Sequence, residues 1–171
     1  MKNKVISLLG KPIESAEIKA LYAEWGAIYP KSIFCTADNP GVKGKVEKDC
    51  IRLHFGRGGN SRYLKPIPAT WEGGFHAMFT AIEFTKKRKG EIPFGVEYAM
   101  TDAELTAILG EPVVSNFMGE MTVWRKQYED KYEFLVTNNV YADGTTLKTM
   151  MLSFIYEADL FSMEEYEKAG L

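Results

Sequence analysis

The sequence has few of the side chains that most often do chemistry: two cysteines and two histidines among 171 residues. Cys35 and Cys50 lie fifteen positions apart, too few for a disulfide scaffold, and both are expected to be reduced core thiols. Combined with His54 and His76 they do not form the tight ligand pairs of a structural zinc module, so no metal is expected. Gly-x-Ser-x-Gly, His-Glu-x-x-His and the phosphate loop are all missing. Gly56-Arg57-Gly58-Gly59-Asn60 is rich in glycine but has no Gly-Lys-Ser/Thr to meet phosphate and magnesium, and it reads as a turn. Glu129-Asp130 also reads as a solvated turn, where nothing raises a carboxyl pKa for acid–base work. The expectation is a chain without enzymatic activity and without a cofactor. A hydrolase built on Cys50 and His54 is the enzymatic alternative, and it requires a thiolate reactive near neutral pH.

Charge of one sign is also scarce. Lys and Arg total 21 against 23 Asp and Glu, a net charge of −2, so no basic footprint for nucleic acid exists. The longest early apolar run, Val5 to Leu9, stops at Gly10-Lys11-Pro12, short of a secretory core, and no stretch approaches a membrane span. The expected location is cytoplasmic, with no membrane partner. Apolar residues are not lacking: 46% hydrophobic against 26% charged is the balance of a folded globular chain. The length suits one domain or two small ones.

Two helices are marked by caps. Over Ser15 to Trp25, Ile18, Leu21, Tyr22 and Trp25 form one apolar stripe, Ser15 caps the start and Gly26 stops it. Over Asp102 to Leu109, Thr101 and Glu104 form a capping box, Leu105, Ile108 and Leu109 are expected to face inward, and Gly110-Glu111-Pro112 ends the helix. The two segments resemble each other, and each is followed by strand patterns: Cys50 to Phe55 and Ala77 to Phe84, then Tyr132 to Tyr141 and Thr146 to Tyr156. The expected fold class is α+β: two tandem repeats of a helix followed by antiparallel strands, forming one layered helix-on-sheet domain. Residues 1–90 are the first repeat and 91–171 the second. They join near Lys86-Lys87-Arg88-Lys89-Gly90, a solvated basic turn. A further capped helix is expected over Leu160 to Lys168, with Ser162 and Glu165 as its capping box and Phe161 and Tyr166 as a staple.

Asp143-Gly144 is a two-residue hairpin signal that pairs Ala142 with Thr145. That register sets Phe134 opposite Ser153, Val136 opposite Met151 and Val140 opposite Leu147 on one face. Leu135 opposite Leu152 and Glu133 opposite Phe154 fall on the other. Both faces then carry large apolar side chains, and the second needs a cover from the other half, the tail or another molecule.

Residues Gly56 to Gly74 form a long insertion between the first half's main strands, and long loops in compact domains often carry function. Arg57, Arg62, Tyr63, Trp71 and Glu72 are the candidate binding residues, because Trp, Tyr and Arg dominate binding hot spots. The alternative is that Tyr63 and Trp71 fold back over the sheet.

Leu9-Gly10-Lys11-Pro12 before a helix ending at Gly26, then Gly90-Glu91-Ile92-Pro93-Phe94-Gly95-Val96 and a capped helix ending in Leu109-Gly110-Glu111-Pro112, resembles small bacterial immunity-type proteins encoded beside polymorphic toxins. The tandem organisation is similar to beta-lactamase inhibitory protein and to small outer-membrane assembly lipoproteins. Unlike those two, this chain shows neither an export signal nor a lipid-acceptor cysteine near Met1. The resemblance implies an immunity protein that binds and neutralises a cognate bacterial toxin by occlusion, with no catalytic residues. A homodimeric structural or scaffold protein is the alternative.

Overall fold

A computed structural model of the chain describes residues 2–42, 46–59, 61–85, 92–117, 121–140 and 143–155. Its helices follow their local signals. α1 (Lys2–Ile6) is a single turn that buries Val5 and Ile6. In α2 (Ala16–Trp25) the Ser15 hydroxyl accepts from the Ile18 amide at 3.4 Å. Gly26 at φ +63° then ends the helix, its amide turned back onto the last carbonyls, a conformation that costs glycine little. In α3 (Asp102–Leu109) Thr101 and Glu104 complete the capping box. Leu105 and Leu109 face inward as expected, but Ile108 is exposed. A two-turn helix lying on a sheet buries one narrow stripe, and Ile108 falls beside it.

The fold is mostly β, which overturns the expected α+β tandem helix-plus-sheet repeat. The strands are β1 (Phe34–Thr36), β2 (Val46–Lys48), β3 (Ile51–Gly56), β4 (Ile67–Pro68), β5 (Gly74–His76), β6 (Met78–Phe84), β7 (Val114–Phe117), β8 (Met121–Tyr128), β9 (Tyr132–Val140) and β10 (Thr146–Phe154). They form two antiparallel sheets. The large one has seven strands in the order β2-β3-β6-β10-β9-β8-β7, and the small one has three in the order β1-β5-β4. Pairing of β6 with β10 carries the large sheet across residue 90. The two helices resemble each other in caps and apolar spacing, which short amphipathic helices share in general. Such local likeness says nothing of how distant strands pair. The basic run 86–90 and the expected helix at 160–168 lie outside the described residues.

Register decides what the large sheet buries. Ile51, Phe84, Met150, Val136 and Trp124 are cross-strand partners in one continuous row over five strands. Leu53, Ile82, Leu152 and Phe134 form the next row, and all nine side chains are buried. The helices lie on this face: the Tyr22 ring of α2 is 5.9 Å from Phe55, and the Trp124 indole donates to Thr106 of α3 at 3.3 Å. A bulge between His54 and Phe55 leaves Thr80 unpaired, so that Phe79 turns inward and stacks on Phe55 at 5.2 Å.

The expected hairpin register is wrong by one residue. Val140 pairs with Thr146, Val136 with Met150 and Phe134 with Leu152, so even-numbered residues face even-numbered ones. Five residues separate the last pair, and Gly144 takes φ +78°. An Asp-Gly pair serves a longer loop with a left-handed glycine as readily as a two-residue turn. Because side chains alternate, the slip re-sorts both faces. Phe134, Val136, Met150, Leu152 and Phe154 all point to the core, while Leu135, Leu147 and Met151 stay half-buried on the other side. The hairpin has no second face equal in apolar weight to the first.

Candidate functional site

With the two-sided hairpin gone, the surface that looks most like a binding site is the small sheet, in which β4 of the Gly56–Gly74 insertion and β1 flank β5. Phe34 of β1 and Ile67 of β4 both pair with His76 of the central strand β5, so these three side chains share one face. Trp71 sits in the β4–β5 turn, which is closed by the Ala69 amide on the Gly74 carbonyl at 2.8 Å and the Gly74 amide on the Trp71 carbonyl at 3.2 Å. Its indole lies over Gly74, where a Cβ would fall 2.6 Å from the ring, and meets Phe34 edge-on at 6.0 Å. Glycine at position 74 is therefore what lets the ring lie flat on the strand. His76 packs against Phe34 at 5.0 Å, and its Nδ1 faces the Glu14 carboxylate.

Among the described residues no layer covers that outer face. Trp71 is 44% exposed and Ile67 39% exposed. The opposite face of the same sheet is closed: Cys35 is buried against the core, and Phe75 is covered by the Arg57 guanidinium at 4.9 Å.

The five sequence candidates therefore separate. Trp71 and Glu72 share the β4–β5 turn. Arg62 lies 4.9 Å over the Tyr63 ring in the exposed turn spanned by the Ser61–Leu64 bridge. Arg57 lies on the closed side, lining a cavity of about 350 Å³ with Gly56, Gly58 and Thr80. Phe34, Ile67, His76 and Glu14 were missed. The Ile33-Phe34-Cys35 run has strand composition, but only cross-strand pairing brings it beside Trp71.

A second feature lies beside α2. Tyr22, Trp25 and the Gly26–Lys31 segment form one wall of a cavity of about 670 Å³, and Val46, Leu53 and Phe55 form the other. A smaller cavity of about 330 Å³ shares Pro30, Lys31, Gly41 and Val42 with it and reaches Phe34. Glu47, Arg52 and His54 also line the first cavity; Arg52 donates to both oxygens of Glu83 at 3.0 and 2.9 Å and to Glu47 at 3.2 Å. His54 completes the cluster at 2.7 Å from Glu83. Burial pushes the Tyr22 phenol up to about 12.

These groups do not assemble the catalytic pair considered above. Cys50 occupies the tight β2–β3 turn at φ +62°, and His54 is hydrogen-bonded to Glu83 instead of a thiol. Burial pushes the Cys35 thiol up, against the pull of Arg57, which disfavours its nucleophilic form. Among the described residues no three His, Cys, Asp or Glu side chains gather as a metal site, and no helix is long and apolar enough to cross a membrane. No protein-family model, curated protein or solved structure matches the chain.

Proposed function

We propose that this chain is a cytoplasmic protein-binding module that acts by occlusion, an immunity-type inhibitor of a cognate bacterial toxin, with the outer face of the small sheet as its docking surface. The observation that carries the proposal is Trp71, left nearly half exposed although Gly74 and Phe34 hold its ring in place. A large aromatic already fixed in position loses little freedom on binding, and such residues dominate interface energetics. Three of the large hydrophobics exposed among the described residues, Tyr63, Ile67 and Trp71, come from this one insertion. The Gly56–Gly74 insertion carries Arg57, Arg62 and Lys65 against a single acidic residue, Glu72. Arg62 and Lys65 are exposed, which favours a partner with an apolar centre and an acidic border.

The test is to look for a toxin-domain gene next to this one and to co-express its product with this chain, followed by calorimetry on the purified pair; the lack of any such neighbour would count against the proposal. Trp71→Ala should weaken binding by about 2 kcal/mol or more, roughly 30-fold. Failure to protect cells from the toxin, or unchanged affinity of Trp71→Ala, would overturn the proposal. A constitutive dimer near twice 19.3 kDa by light scattering, with this face occluded, would favour the homodimeric scaffold instead.

A further inference from the structure

Among the described residues, Arg57 is the one half-buried arginine that the fold leaves without a carboxylate. Arg52 lies between Glu47 and Glu83, Arg125 faces Glu133, and Arg62 is exposed on the Tyr63 ring. The Arg57 side chain makes no ion pair or hydrogen bond among these residues; its guanidinium lies 4.9 Å from the Phe75 ring, and its nitrogens remain in contact with solvent. Asp38, which follows the lining residue Ala37, is exposed and forms no ion pair with it.

The local backbone is fitted to this side chain. Gly59 supplies the room, since a Cβ there would fall 2.7 Å from Arg57 Nε and 2.8 Å from its Nη2. Gly58 at φ +71° makes the turn that brings residue 59 back onto residue 57, and a Cβ at 58 would meet Leu64 at 2.7 Å. Contact with a ring engages the flat face of a guanidinium and leaves its N–H edge free for hydrogen bonds.

Arg57 lines a cavity of about 350 Å³ together with Ala37, Pro40, Gly56, Gly58, Gly59 and Thr80, at the small end of ligand cavities. The other polar side chain of the lining is already engaged: the Thr80 hydroxyl donates to the His54 carbonyl at 3.2 Å. The guanidinium is therefore the side chain left to hold an anion. Its edge matches the two oxygens of one carboxylate, and its single charge balances one negative charge. A phosphate dianion would leave its second charge unmet. We propose that this cavity binds a small monocarboxylate in a two-pronged pair with Arg57. The proposal is separate from the docking face, because Arg57 covers the side of the small sheet opposite Trp71.

Butyrate is the probe, with butyramide as its uncharged counterpart and inorganic phosphate as the more highly charged one. In a titration of the full chain at constant ionic strength, butyrate should shift the backbone amides of Gly58, Gly59 and Thr80, with saturation in the millimolar range. The Tyr63 amide, beside the exposed Arg62, should stay in place. Butyramide should not bind, and phosphate should bind more weakly than butyrate. Arg57→Lys keeps the charge and removes the fork, which should weaken butyrate binding by about 10-fold, the worth of one charge-assisted hydrogen bond. The proposal is overturned if butyrate gives no saturable shift at Gly58 and Gly59, or if Tyr63 shifts equally, as for an ion drawn to any arginine. Binding of butyramide or phosphate as tight as that of butyrate, or unchanged affinity in a folded Arg57→Lys, would overturn it too. The titration of the unaltered chain decides the matter even where that variant melts early.

Discussion

The inner face of the large sheet and the outer face of the small sheet are built from the same kinds of residue and end in opposite states. Phe134, Val136, Met150 and Leu152 are fully buried, while Trp71 and Ile67, no less apolar, remain about two-fifths exposed. What differs is the cover. The large sheet, with strands up to nine residues long, presents a face wide enough for α2 to lie at its β2–β3 end, α3 against β8 and Phe94 over Phe134. The two- and three-residue strands of the small sheet have one face toward the core and too little backbone to hold a layer over the other. Aromatic composition alone therefore does not separate core from binding surface; the layer above each face does.

The comparison can be broken most forcefully at Phe134. Truncation to Ala removes a ring with no exposed surface that touches Phe84 and Phe94, at centroid distances of 6.2 and 5.7 Å. It should cost about 3–5 kcal/mol in denaturant unfolding. Next in size is an effect confined to alkaline pH. The Tyr22 phenol, buried under α2, is raised from its ordinary value of 10.0 to about 12. A folded-state pKa above the unfolded one means that the folded chain holds its proton longer. The stability this provides is complete below pH 10 and is lost as pH rises toward 12, by roughly 2–3 kcal/mol. Stability measured across that range should fall steeply, and Tyr22→Phe should flatten the decline. The smallest effect belongs to the open face. Trp71→Ala should lower stability by only about 1 kcal/mol, the value of its Phe34 contact, while losing most of the partner's affinity. A loss as large as that of Phe134→Ala would make Trp71 a core residue and erase the contrast.

The parts of the fold legible in the sequence were those governed by neighbours in the chain. Ser15, Gly26, Thr101 and Glu104 satisfy groups within four residues, and each acts at its expected place. The hairpin at Asp143-Gly144 was legible as a turn but not as a register. Two loop lengths satisfy the same dipeptide, and the choice between them rests on gathering Phe134, Val136, Met150 and Leu152 on one side. The helix-led repeat failed for a related reason: two short helices matched locally, while the large sheet was organised by β6 meeting β10, about seventy residues apart in sequence.

For the candidate site the division is similar. The Gly56–Gly74 insertion could be singled out as unusual, with Trp71 its most conspicuous side chain. Whether Trp71 was cover or contact depended on Gly74 beneath it, on Phe34 from a strand almost forty residues earlier and on its being left 44% exposed. That Arg57 lacks a carboxylate was beyond sequence reasoning, because a cation's partners are known only once every acid has a place.

What the sequence determined by itself was local: helix starts and stops, turn positions, alternation along the strands, and an apolar content sufficient for a core. Those follow from interactions spanning a few residues, whose energies do not depend on the rest of the chain. Only the tertiary structure decided register, which face was covered, which aromatics stayed open and which arginine lacked a carboxylate. Each of these depends on groups distant in sequence, and their proximity is a result of folding as a whole.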